Sequence, residues 1–110
     1  MRCTLSFLFF MGLVFSGKFA YADLAQLNTL MLRNNCLACH MIDKRKYGPH
    51  MKEEVAAKYS GNTAFAEQLA VKIKAGGTGV WGSDVMPEQP QVTDENAKLM
   101  ATLILALEVK

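Results

Sequence analysis

An all-α fold of about four helices is predicted by three features of the 110-residue sequence. Apolar residues recur at i, i+4 and i+8 in separate stretches, which places them on one face of a helix. Gly and Pro cluster between those stretches, where they end helices. No segment shows the strict alternation of a half-buried strand, and neither an internal repeat nor a low-complexity tract interrupts the pattern.

The chain opens on a targeting segment. Arg2 is a short basic region, Thr4 to Phe15 is almost wholly apolar, and Ala20-Tyr21-Ala22 is an A-x-A cleavage signal. The apolar run is shorter than the about 20 residues that cross a membrane, and Lys18 lies just beyond it and prevents its extension. Cys3 precedes the run, whereas a lipidated cysteine would end it. Residues 1–22 are therefore expected to be a cleaved signal peptide, with no stable membrane anchor, and residues 23–110 one exported domain. Arg2 and Lys18 account for two of the twelve basic residues, so ten remain against ten acidic ones. A neutral polypeptide of this kind argues against a nucleic-acid partner. Beyond residue 22 the aromatic residues are Tyr47, Tyr59, Phe65 and Trp81, a thin stock for a small domain, which often needs a staple. A Cys36–Cys39 disulfide would close too small a loop to be that staple.

The first helix is expected over Asp23–Asn34, where Leu24, Leu27, Leu30 and Met31 share a face. Met41–Gly48 is polar and contains Lys44, Arg45 and Lys46; Gly48-Pro49 then breaks any helix. Met51, Val55 and Tyr59, spaced by four, predict a second helix ended at Ser60-Gly61, with Gly61 as C-cap. Asn62 can cap a third, running to about Ala75 on a Phe65, Leu69, Ile73 stripe and stopped by Gly76-Gly77. Thr78–Val92 is irregular and holds Gly79, Gly82, Pro87 and Pro90. Loops this long are functional or disordered, and Trp81 and Met86 favour function. Thr93 is a good N-cap, with Asp94 and Glu95 suited to the positive end of a helix. That last helix runs to about Glu108 on Leu99, Leu103 and Leu107, widened by Met100, Ile104 and Ala106.

Between the first two helices lies Cys36-Leu37-Ala38-Cys39-His40. C-x-x-C-H is the pattern of c-type haem attachment. Two thiols three positions apart can add to the two vinyl groups of one porphyrin, and the next residue offers an imidazole to the iron. A thioredoxin-like redox pair would follow a strand in an α/β pattern, and here the surroundings are helical. Cys36, Cys39, His40 and His50 nominally complete a zinc set, but adjacent Cys39 and His40 would struggle to ligate one ion. Covalent haem is made where chains are exported, which agrees with the leader. One covalently attached haem c is the expected cofactor, with His40 as proximal ligand. The second ring nitrogen of His40 needs an acceptor. Pro49, with a carbonyl and no N–H, is a candidate.

Candidates for the opposite axial position are Met31, Met41, Met51, Met86, Met100 and His50. Met41 adjoins His40 and cannot reach the far face. Met31 and Met100 lie on helix faces, where Met usually fills core space. Met51 and His50 are only about ten residues from His40, on the segment expected on the proximal side. Met86 lies far along the chain in the glycine- and proline-rich loop, and Met/His is a standard axial pair. Met86 is favoured, with His50 as its competitor.

The sequence resembles the small bacterial class I monohaem cytochromes c, the c-551/c-552 group. The resemblance rests on Asn34-Asn35-Cys36-Leu37-Ala38-Cys39-His40, Gly48-Pro49, Val55-Ala56-Ala57-Lys58-Tyr59, Ile73-Lys74 and Gly79-Val80-Trp81-Gly82 with Met86-Pro87 beyond. It covers nearly all of the chain after the leader. It implies a small class I cytochrome c fold, about four helices wrapped around one haem. It implies thioethers at Cys36 and Cys39, axial ligation by His40 and Met86, and a Pro49 carbonyl that orients His40. Trp81 and Lys72 would hydrogen-bond a haem propionate. Three positions depart from the family pattern: Gln89 replaces an Asn, the segment at His50-Met51 is one residue longer, and Leu103 replaces an aromatic.

The expected function is one-electron transport by a monomeric, periplasmic carrier rather than an enzyme. Its donor would be a membrane cytochrome complex and its acceptor a periplasmic reductase or terminal oxidase in a respiratory chain. Lys44, Arg45, Lys46, Lys52 and Lys72 could steer an acidic partner. A five-coordinate haem enzyme or CO/NO sensor is the alternative if Met86 does not reach the iron.

Overall fold

The structure, a computed structural model, describes residues 21–59 and 62–109. Nearly all of the expected signal peptide, and the Ser60-Gly61 stop, lie outside them. Three α-helices, α1 (Tyr21–Arg33), α2 (Ala66–Ala75) and α3 (Asp94–Leu105), are joined by a π-helix over Met51–Ala56 and by 3₁₀ turns at Cys36–Ala38 and Thr63–Phe65. No strand is present among the described residues. None of their helices is long and apolar enough to cross a membrane.

α3 is the centre of the packing, against α1, α2 and the π-helix. Ala97 and Ala101 are fully buried on α3 and present only methyl groups, so neighbouring helices can approach closely. Leu27 and Met31 of α1, Leu69 of α2, Met51 and Val55 of the π-helix, and Met100, Leu103 and Ile104 of α3 complete one core. Each such large side chain contributes about 1.5–3 kcal/mol by leaving water.

Local chemistry sets the helix ends. At α3 the Thr93 side chain accepts the Asn96 N–H at 3.1 Å. We expect Thr93→Ala to cost about 1 kcal/mol and lower the melting temperature by about 4–8 °C for a domain of this size, as read by thermal denaturation. α3 stops at Leu105, short of the expected Glu108, because the Leu107 N–H turns back to Ile104 O at 3.1 Å. α1 already includes Tyr21, the first described residue, and so runs ahead of the expected Asp23. It ends where Asn35 takes φ 65°, a left-handed conformation that Asn tolerates better than most residues. Buried Asn34 donates its side-chain Nδ2 to Leu30 O at 2.8 Å, satisfying an end carbonyl of the helix.

The second helix differs from the α-helix expected. The Val55 N–H bonds His50 O at 3.2 Å, an i→i+5 contact. A spacing of four keeps residues on one face in either helix type, so periodicity does not separate them. The expected Asn62 cap is a carbonyl acceptor for the Phe65 N–H at 3.1 Å, and a 3₁₀ turn precedes α2.

Candidate haem site

The 3₁₀ turn over Cys36–Ala38 follows directly from Asn35. Its bonds, Cys39 N–H to Cys36 O at 3.2 Å and His40 N–H to Cys36 O at 2.9 Å, gather Cys36, Cys39 and His40 into one short turn. The two sulfurs are not joined in a disulfide; Cys36 is half-buried and Cys39 exposed. Burial pushes the Cys36 thiol above its usual value.

His40 is held from two sides. Its Nδ1 lies 2.8 Å from Pro49 O. A carbonyl only accepts, so Nδ1 carries the proton and Nε2 keeps its lone pair. A Cβ at Gly48 would sit 2.4 Å from His40 Cε1, so the backbone of residue 48 is the floor on which the ring rests. Pro49 itself is buried.

A cavity of about 290 Å³ opens in front of this turn. Cys36, Cys39 and His40 lie along it together with Met86, and Met31, Met51, Val55, Leu69, Ile73, Met100 and Ile104 contribute apolar wall. Trp81 and exposed Lys72 also line it. Of the six axial candidates, Met31, Met51, Met86 and Met100 line the cavity, whereas Met41 and His50 are not part of its wall. Met31, Met51 and Met100 are buried core residues. Met86 is set apart by its backbone. Its N–H donates to Gly77 O at 2.8 Å and its carbonyl accepts the Gly77 N–H at 2.9 Å. The loop is tied down again where the Gln89 N–H reaches Lys74 O at 2.8 Å. Gln89 Nε2 donates to Pro87 O at 2.8 Å, and its Oε1 accepts from Gln91 Nε2, which also reaches Asn34 O.

Sequence reasoning missed a polar cluster beside the cavity. Glu54 Oε2 accepts the His50 backbone N–H at 2.9 Å and His50 Nδ1–H at 2.8 Å. Its Oε1 pairs with Arg45 Nη1 at 2.5 Å, and Arg45 Nη2 donates to Trp81 O at 3.3 Å. The i,i+4 spacing of His50 and Glu54 was a usable signal. Burial alone would raise the Glu54 carboxyl, but the hydrogen bonds from His50 and the charge of Arg45 outweigh it and hold it below the usual carboxylate range. A carboxyl lowered on folding stabilises the fold above its unfolded value, and that share is lost as pH falls through the lower, folded value. In acid denaturation, Glu54→Gln is expected to flatten the stability loss below the usual glutamate range.

Two thiols and an imidazole on one short turn, a mostly apolar slot beside them and a loop thioether on its lining are the donor set and the enclosure that a covalently held porphyrin requires. This combination on a small helical scaffold defines a c-type haem protein. The cytochrome c family profile matches residues 25–108. The chain is 44% identical over 89 residues to cytochrome c-552 of Nitrosomonas europaea, covering 81% of this chain and 80% of that one. It is 46% identical over 79 residues to cytochrome c-552 of Hydrogenobacter thermophilus, covering 72% and 79% of the two chains. The crystal structure of wild-type Nitrosomonas europaea cytochrome c552 superposes with a TM-score of 0.70 at 43% identity, covering 74% of this chain and 99% of that one. The chain belongs to the cytochrome c family, in its small class I c-551/c-552 group, and carries one covalently attached haem c. Members of this group are electron carriers.

Proposed function

We propose that this chain is a periplasmic one-electron carrier whose haem iron is ligated by His40 and Met86. The observation that carries the reading is the placement of a proton-bearing His40 Nδ1 and a doubly anchored Met86 around one cavity. Cys36 and Cys39 form the thioethers, Pro49 O orients His40, and Trp81 and Lys72 bind a propionate. When bound, the haem supplies a one-electron Fe(III)/Fe(II) couple. His40 Nε2 offers its lone pair because Nδ1 is committed to Pro49. The soft Met86 thioether favours the reduced state. Met31, Leu69, Ile73, Met100 and Ile104 keep water from the slot, and their burial disfavours the extra charge of the oxidised state. His40 and Met86 together would leave no open position for a substrate on a bound haem, which suits a carrier and not a catalyst.

Residues 1–22 act as a cleaved export signal and residues 23–110 as the monomeric working domain. A membrane cytochrome complex is the donor, and a periplasmic reductase or terminal oxidase the acceptor. Lys44, Lys46, Lys52 and Lys72 steer acidic partners; Arg45 contributes less, because Glu54 offsets its charge. Absorption spectra of the purified protein with and without CO test the reading. A low-spin spectrum indifferent to CO is expected. A high-spin spectrum that responds to CO would mean an open axial site and a gas-binding or peroxidatic haem.

A further inference from the structure

The peptide that receives the His40 proton is gripped at its other end by a carboxylate. Pro49 O and His50 N belong to one planar peptide unit. On its carbonyl side His40 Nδ1–H donates to Pro49 O at 2.8 Å. On its amide side the His50 N–H donates to Glu54 Oε2 at 2.9 Å. The groups therefore form a continuous line: imidazole N–H, carbonyl, amide N–H, carboxylate. Glu54 is ionised near neutral pH, since its carboxyl lies below the usual range, and an ionised carboxylate only accepts. Its remaining contacts hold it in place: the His50 ring on the same oxygen, and Arg45 on the other, with Arg45 carried across to Trp81 O. Neither Glu54 nor His50 lines the cavity, so the carboxylate can act on the cofactor only through the peptide or through space.

We propose that Glu54 is a positioning residue that acts on His40 through the Pro49–His50 peptide, fixing the plane of that peptide and polarising its carbonyl. A carboxylate drawing on the N–H end of an amide increases the electron density on its oxygen, and hydrogen bonds in such a chain strengthen one another. A stronger acceptor at Pro49 gives His40 more imidazolate character and makes it a better donor to the oxidised metal. Glu54 thereby lowers the reduction potential. It does for His40 what a carboxylate bonded directly to a ligating His does, with one peptide inserted between them. The inference rests on His40 being the proximal ligand.

Glu54→Gln keeps the shape and an acceptor oxygen but removes the charge, and Glu54→Ala removes both. Glu53→Gln removes the same charge one residue away, from an exposed side chain, and is the control for through-space electrostatics. The measurements on the holoprotein are the midpoint potential and the NMR signals of His40 Nδ1–H and the His50 amide. Both Glu54 variants should raise the potential by more than Glu53→Gln does. The His40 Nδ1–H signal should shift in both, and in Glu54→Ala it should exchange about tenfold faster, as expected for one weakened charge-assisted hydrogen bond. If Glu54→Gln and Glu53→Gln move the potential equally and the His40 signal stays in place, the peptide route is overturned. Should Glu54→Ala not fold, the isosteric Glu54→Gln decides alone. The spectrum of the unmodified protein is recorded first: absence of a His-ligated, low-spin haem there defeats the ligation reading. Normal ligation with no Glu54 effect defeats only this inference.

Discussion

Met86→Ala is expected to convert the haem spectrum from low-spin to high-spin and to make it bind CO. The substitution removes the sulfur and leaves the frame. The two hydrogen bonds between residues 77 and 86 are both backbone bonds, as is the tie from Gln89 N–H to Lys74 O, so the loop keeps its path. The effect is therefore confined to the axial position. Losing a soft thioether that favours the reduced state should lower the midpoint potential by a few tenths of a volt, out of the roughly 0.8 V that axial ligands span. Spectra with and without CO and a redox titration check this. Unchanged ligation in the variant would move the assignment away from Met86, to a neighbour on the same cavity wall such as Met51 or Met100.

Gly76→Ala is expected to be among the most damaging single methyl additions in the domain. Gly76 ends α2 with φ 68° and ψ −154°, a region that is essentially glycine's alone. A Cβ there would lie 2.2 Å from Met86 O and 2.7 Å from Pro87 O. Those are backbone atoms and cannot rotate aside, so the loop must retreat by roughly 1 Å to restore ordinary contact distances. The retreating carbonyl is the one that accepts the Gly77 N–H. Strain of about 1–3 kcal/mol and about 1 kcal/mol for each bridge bond lost give about 3–5 kcal/mol in total. Domains of this size have only about 5–15 kcal/mol to lose. Gly79→Ala separates the two causes. Its φ is also positive, at 94°, but nothing lies within 4 Å of the added methyl, so only the strain should be felt. Chemical denaturation should show Gly76→Ala well below Gly79→Ala, with Gly76→Ala alone adding a high-spin fraction as Met86 is displaced.

Both predictions depend on where one loop lies, and the loop shows how far sequence reasoning carries. Thr78–Val92 is legible as a functional loop because glycine and proline exclude helix there while Trp81 and Met86 exclude a purely solvated segment. Its attachment is not legible. The pairing of Gly77 with Met86 is a contact between backbone groups, and no side-chain pattern marks it. The amide of Gln89 lies between Pro87 O and Gln91, a placement that its residue type does not indicate. Arg45 has the sequence signature of a steering charge and is instead shared between Glu54 and the Trp81 carbonyl.

The all-helical class, the covalent haem and the C-x-x-C-H turn were legible in the sequence, because each depends on residues close in the chain. Apolar stripes need only helical spacing, and C-x-x-C-H needs only one turn to bring its groups together. The same locality explains why spacing by four could not tell the π-helix at Met51–Ala56 from an α-helix. The tertiary structure alone decided which methionines share the cavity with His40, what holds the Met86 loop, and what stands behind the Pro49 carbonyl. The first two join segments well separated in sequence, and the last depends on how the Pro49–His50 peptide is oriented between His40 and Glu54. Residue type does not encode them until the chain has folded over its core.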